Sequence, residues 1–153
     1  MKKTILALLF LSLALTLCPL ENKDFDKIID FSLDLRGIHK IIQDPSFSPA
    51  GKRSVVFDGT VTGVLVMNPD PHEFTAELEV SGGEWAGPEE VLLFRVFVYA
   101  FGLEFSQRID GENPDIRRAA RILVAGTIHS VYTDETDGRK YAIIFAHHIR
   151  TLK

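Results

Sequence analysis

Two runs of alternating apolar and polar residues flank an Asp-Gly pair close to the C-terminus, in RILVAGTIHSVYTDETDGRKYAIIFAHHI from Arg121 to Ile149. Ile122, Val124, Gly126 and Ile128 share one side of the first run. Tyr141, Ile143, Phe145 and His147 share one side of the second. A period of two belongs to a strand. Between the runs, Asp137-Gly138 is a strong hairpin signal, because glycine accepts positive φ without strain. The chain therefore ends in an antiparallel hairpin, and the question is what sheet or barrel it closes.

The residues from about Ser54 supply the rest. In VVFDGTVTGVLVM, Val55, Phe57, Val61, Leu65 and Met67 are expected on one face of a long first strand, with Gly59 and Gly63 allowing it to coil or bulge. NPDP turns the chain. In FTAELEV, Phe74, Ala76, Leu78 and Val80 point inward while Thr75, Glu77 and Glu79 meet water. SGGEWAGPEE reads as a long loop carrying Trp85. VLLFRVFVYAF is an almost unbroken apolar run, consistent with a central strand covered on both faces. Asn113 then caps a short helix with Pro114 in its first turn and Arg117, Arg118 and Arg121 toward its end.

The N-terminal part has a different character. Lys2 and Lys3 precede the apolar run TILALLFLSLALTL, which is shorter than the roughly 20 residues of a membrane-spanning helix. This is the form of a secretory signal over residues 1–18. The single cysteine, Cys18, excludes an intramolecular disulfide. It either accepts a lipid, in the manner of a bacterial lipoprotein cysteine, or leaves with the signal. Residues 19–53 are a leader or linker: Phe25, Ile28 and Ile29 have helical spacing, as do Ile38, Ile41 and Ile42, while FSLDLR alternates like a strand and Gly37 separates two short elements. QDPSFSPAGKR is a loop into the main domain, residues 54–153.

The order of elements is long strand, strand, strand, short helix, strand, hairpin, strand, over about one hundred residues. It resembles the OB-fold, the five-stranded Greek-key barrel with a helix between its third and fourth strands. RILVAGTIHSVYTDETDGRKYAIIFAHHIRTL is similar to the closing hairpin of bacterial single-stranded-DNA-binding proteins, and PDIRRAAR lies where that family has its helix. The same ending resembles small exported bacterial OB-fold proteins, which share the signal peptide. The expected fold is thus mainly β: a five-stranded OB-like barrel preceded by a signal segment and a partly helical leader.

OB-folds bind ligands on the face of strands two and three and with adjoining loops. Here that face offers Glu77 and Glu79 on strand two, Arg95, Phe97 and Tyr99 on strand three, and Trp85 between them. Aromatic rings beside an arginine stack bases or sugars. Against this, Phe97 and Tyr99 are expected to be core or covered by the leader, with Arg95 paired to Glu77 or Glu79. Charge points the same way. Beyond residue 18, 15 basic side chains face 21 acidic ones, a net of −6. Phosphate binding favours a basic face. The reading from sequence is an exported, non-catalytic binding or scaffolding protein of the cell envelope. Its partner is another envelope protein or a small ligand, nucleic acid is disfavoured, and membrane contact is through the N-terminus alone. A nucleic-acid or oligosaccharide binder using Trp85, Arg95, Phe97 and Tyr99 is the alternative.

No enzyme motif is present: no G-x-S-x-G, no H-E-x-x-H, no phosphate-cradling glycine loop. Glu89-Glu90 and Asp134, Glu135 and Asp137 are acid clusters without a partnered base. His147 and His148, adjacent on a strand, point to opposite faces, although His129 can approach one of them. No metal or cofactor is expected.

Overall fold

The computed structural model describes residues 29–30, 33–51 and 53–153. The expected signal, Cys18 and the helical spacing at Phe25 and Ile28 lie outside them. The elements are β1 (Ile29–Asp30), α1 (Leu35–Gln43), β2 (Ser54–Asn68), β3 (Thr75–Trp85), β4 (Val91–Phe101), α2 (Leu103–Ile109), β5 (Arg121–Thr133) and β6 (Lys140–Leu152). The strand order is β1-β2-β3-β4-β6-β5, and β2 also pairs with β5, which closes β2–β6 into a barrel. The pairing of β4 with β6 is parallel and the other contacts around the barrel are antiparallel. This is the OB arrangement, with α2 between its third and fourth strands. The second and third strands of the sequence reading are β3 and β4.

β2 closes the barrel because it is long enough to change partners, and its register against β3 slips twice, the second time between Val66 and Asn68. Ser54–Thr60 pair with β5 and Thr60–Asn68 pair with β3. The register slips between Val61 and Gly63, leaving Thr62 as an extra residue. A bulge of this kind flips the side-chain parity beyond it. Val55, Phe57 and Val61 are therefore buried, whereas Leu65 and Met67, expected on the same face, are exposed. The inner layer is otherwise as the alternation of β3 implies: Phe74, Ala76, Leu78 and Val80 are each 1% exposed or less. Ile122, Val124, Ile128, Ile144 and Ile149 meet them from β5 and β6. Fully burying an aliphatic side chain contributes about 1.5–3 kcal/mol.

α1 starts where the sequence suggested a strand. Asp34 caps it by accepting the Gly37 N–H at 2.7 Å, so Gly37 lies within the helix instead of separating two elements. Leu35, Ile38 and Ile42 then fall on one stripe and enter the barrel core. Leu35 needs room in the barrel wall. A β-carbon on Gly82 would stand 2.8 Å from Leu35 Cδ1, and one on Gly59 3.1 Å. The two glycines make the notch that receives this leucine.

α2 replaces the helix expected after Asn113. Gly102, at φ 92°, ends β4, and Phe105 and Ile109 then bury against the core at helical spacing. The PDIRRAAR stretch is a turn instead. Only Ile116 of it is buried, too little apolar stripe for a packed helix. The turn is tied to β2 by Ala119 N–H to Val61 O (2.8 Å) and Val61 N–H to Ala120 O (2.9 Å). Ala119 adopts φ 69°, a left-handed conformation that costs a non-glycine residue about 1 kcal/mol. Arg108 of α2 fastens the same end. Its guanidinium donates to Asp115, to Thr151 Oγ1 and to the Ile149 carbonyl of β6.

Candidate functional site

β4 is buried on one face only, not on both. Val96, Val98 and Ala100 point into the barrel, while Arg95, Phe97, Tyr99 and Phe101 line its outer surface. The parallel pairing of β4 with β6 sets Phe97 opposite Ile143 and Tyr99 opposite Phe145. β6 in turn carries Tyr141 opposite Tyr132 of β5. The outer face therefore gathers rings from three strands that are distant in sequence.

The rings form two groups. Phe97 lies 5.6 Å from Tyr141 and 6.2 Å from Tyr132, both edge-on, with the Arg95 guanidinium 5.9 Å from the Tyr141 centroid. Tyr99 lies 6.1 Å from Phe145, Phe101 is 5.0 Å from Phe145, and His129 stacks on Phe145 at 3.9 Å with an 11° tilt. Such edge and offset contacts suit aromatic quadrupoles. They also lock the rings against one another, so that Phe97 and Tyr99 are half-buried by their neighbours, while Phe101 and Tyr132 are 43% and 46% exposed. The expectation that Phe97 and Tyr99 belong to the core is thereby corrected. Their parity on β4 sends them outward.

The two carboxylates expected on this face are there, and both are engaged. Glu79 pairs with Arg95 at 3.0 Å and accepts the Thr62 hydroxyl at 2.9 Å. Glu77 accepts the Tyr99 hydroxyl at 2.5 Å. That hydrogen bond, with burial and the nearby carboxylate charge, pushes the Tyr99 hydroxyl up to about 12. Tyr99 is thus a fixed neutral donor. Beside the rings, a cleft of about 670 Å³ is lined by Thr62, Glu79, Arg95 and Tyr141 together with Leu93 and Arg139. The extended turn at Asp137-Gly138 borders it, with Gly138 at φ 71° as the hairpin requires.

Of the residues singled out from sequence, Glu77, Glu79, Arg95, Phe97 and Tyr99 come together. Trp85 does not join their ring groups. It ends β3 opposite Val91, at the far end of the β3–β4 ribbon, and is 73% exposed. Phe101, Tyr132, Tyr141 and Phe145 were not singled out, and His129 was considered only for its approach to His147 or His148. The shared parity of Tyr141 and Phe145 was visible, but which wall they faced depended on a pairing between strands some forty residues apart. The histidines serve packing: His147 Nε2 is 2.7 Å from Thr127 Oγ1, and His129 lies on Phe145. Among the described residues no three metal-capable side chains cluster. The acidic hairpin is a capped turn, in which Asp134 accepts the Thr136 N–H at 2.8 Å and Asp137 pairs with Arg139 at 3.2 Å.

No family model matches the chain, and no curated protein does. Among solved structures it is similar to an SSB from Plasmodium falciparum in complex with ssDNA, at 12% identity over 65% of this chain and 94% of that one, with a TM-score of 0.49. A small single-stranded DNA-binding protein from Streptomyces coelicolor shares 16% identity over 66% of this chain and 94% of its own, also at 0.49. A mitochondrial single-stranded DNA-binding protein from S. cerevisiae shares 15% identity over 67% and 96%, at 0.41. With aromatic rings gathered on the outer face, where a core wall was expected, the reading of an exported envelope scaffold is not retained. The placement in the cell envelope and the exclusion of nucleic acid as a partner go with it.

Proposed function

We propose that this protein is a non-catalytic binder of single-stranded nucleic acid, stacking unpaired bases on the outer face of β4, β6 and β5. One observation carries the reading: the two adjoining ring groups around Phe97 and around Phe145, set on rigid strands outside the barrel. Each base stacked on a protein ring contributes about 1–3 kcal/mol, whatever its identity. A duplex keeps its base faces hidden and would present phosphates to Glu77 and Glu79, so the face suits a single strand. The engaged carboxylates lessen the repulsion that the sequence implied, because Arg95 and Tyr99 draw charge from them. The likeness to the solved structures concerns the fold, and the reading stands on the rings.

The test is fluorescence anisotropy of a labelled oligothymidylate at low salt. Saturable binding is expected for the wild type, with little for a matched duplex and a strong loss in a Phe97→Ala, Phe145→Ala double variant. Absence of saturable single-strand binding overturns the proposal. Glu77 and Glu79 beside rings also suit hydroxyl groups stacked face-on, as in an oligosaccharide. Displacement of the oligonucleotide by neutral oligosaccharides, or binding of these alone, would transfer the site to that ligand class.

A further inference from the structure

The two arginines that line the cleft beside the rings are already paired. Arg95 is paired with Glu79 and Arg139 with Asp137, and on neighbouring strands Arg121 is held by Asp58. A phosphodiester chain needs uncompensated cations, because its binding is driven by release of the counterions they replace. Arg117 and Arg118 are different. Both are exposed, and neither forms an ion pair among the described residues.

They project from the turn between α2 and β5, and that turn is rigid. Ile116 is fully buried beneath it and donates its N–H to the Arg108 carbonyl at 3.0 Å. Ala119 and Ala120 are stitched to Val61, and Ala119 is held in a left-handed conformation. Strain of this kind persists where the surroundings over-determine a backbone, and such places recur where a segment must present a fixed group.

The turn also borders the right space. Arg117 and Arg118 wall a cleft of about 340 Å³ over the bulge at Thr62 and Gly63. Thr62 lines this cleft and the 670 Å³ cleft containing Glu79, Arg95 and Tyr141. The two clefts have Thr62, the extra residue of the bulge, as a common wall. Gly63 keeps the crossing low, since a β-carbon there would stand 3.3 Å from Glu79 Cβ. Thr62 is held down by its bond to Glu79.

We infer that Arg117 and Arg118 grip the phosphodiester backbone of a bound single strand where it leaves the ring face over the Thr62–Gly63 bulge. The inference rests on the nucleic-acid reading above and adds to it a direction of travel: bases on β4 and β6, backbone drawn across β2 to the α2–β5 turn.

The salt dependence of oligothymidylate binding tests it. For single strands, log K falls with log salt by about 0.7 for each phosphate neutralised. Arg117→Ala with Arg118→Ala should therefore flatten the slope by about 1.4, so that a fourfold rise in salt weakens the wild type about sevenfold more than the variant. The Arg117→Lys, Arg118→Lys pair keeps the slope. Phe97→Ala weakens binding at every salt concentration and leaves the slope unchanged. Unaltered far-ultraviolet dichroism and melting of the alanine pair are expected from the exposure of both side chains, and either single alanine variant gives half the effect should the pair fold poorly. An unchanged slope in an alanine variant that still binds overturns this inference alone. A wild type that binds no single strand overturns the nucleic-acid reading, and this with it.

Discussion

The two faces of β4 are built from the same eleven residues and obey opposite rules. The inner parity, Val96, Val98 and Ala100, is small, aliphatic and sealed from water. The outer parity, Arg95, Phe97, Tyr99 and Phe101, is large, aromatic and partly wet. The inner side chains narrow because the barrel they fill is narrow, and interiors tolerate neither voids nor excess volume. The outer rings are less tightly bound by this rule, since Phe97 and Tyr99 keep part of their surface in water and Phe101 is 43% exposed. Size spent where packing demands it less points to a ligand.

That contrast can be broken by experiment. The largest effect is expected inside. Leu78→Ala, at a position with no exposure, should destabilise the fold by about 2–5 kcal/mol in denaturant unfolding, while the folded fraction binds oligothymidylate as before. The outer face should invert this result. Phe97→Ala or Phe145→Ala should weaken binding by about 1–3 kcal/mol for each base that loses its ring, with melting shifted far less than by the inner substitution. Equal losses of stability from the two faces would show the rings to be structural and would remove the ground for a ligand site.

Two smaller effects sharpen the comparison at the rim. Hydrogen bonds from Arg108, aided by Thr151, hold the Asp115 carboxyl down to about 2. A depressed carboxylate stabilises above its unfolded value of about 3.8 and loses that contribution as pH falls toward 2. Asp115→Asn should therefore cost about 1 kcal/mol at neutral pH, a figure discounted for the solvent around this half-exposed pair, and flatten acid unfolding between about 4 and 2. The smallest effect belongs to Tyr99. Its hydroxyl, raised to about 12, lends stability below about 10 that is lost as pH climbs through 12. Tyr99→Phe should remove one late-titrating phenol from the alkaline absorbance curve, lower melting slightly at neutral pH, where the hydrogen bond to Glu77 is intact in the wild type, and abolish the further loss of stability above about 10.

The sequence was legible where the physics was local. The alternation of FTAELEV fixed the inward set of β3, and Asp137-Gly138 located the last turn, because both depend on a few neighbouring residues. It was misleading where one residue or one distant pairing decides. A single extra residue, Thr62, turned Leu65 and Met67 from inside to outside; Gly63 allowed a bulge, but no local pattern says that the register slips there. The arginine-rich PDIRRAAR stretch has a cap and a proline suited to a helix but only Ile116 to bury, and so the helix formed one segment earlier on Phe105 and Ile109. For the site, Arg95, Phe97 and Tyr99 were found because their strand is recognisable. Tyr132, Tyr141 and Phe145 join them only through β6, whose neighbour β4 cannot be read from either strand alone.

The notch formed by Gly59 and Gly82 has a further implication. The barrel borrows Leu35 from a helix that precedes its five strands. Cutting the chain at Ser54 would leave an oily socket open at one mouth of the cylinder, and molecules so trimmed would be expected to clump through it. Any shortened version made for crystallography or spectroscopy should begin upstream of Asp34.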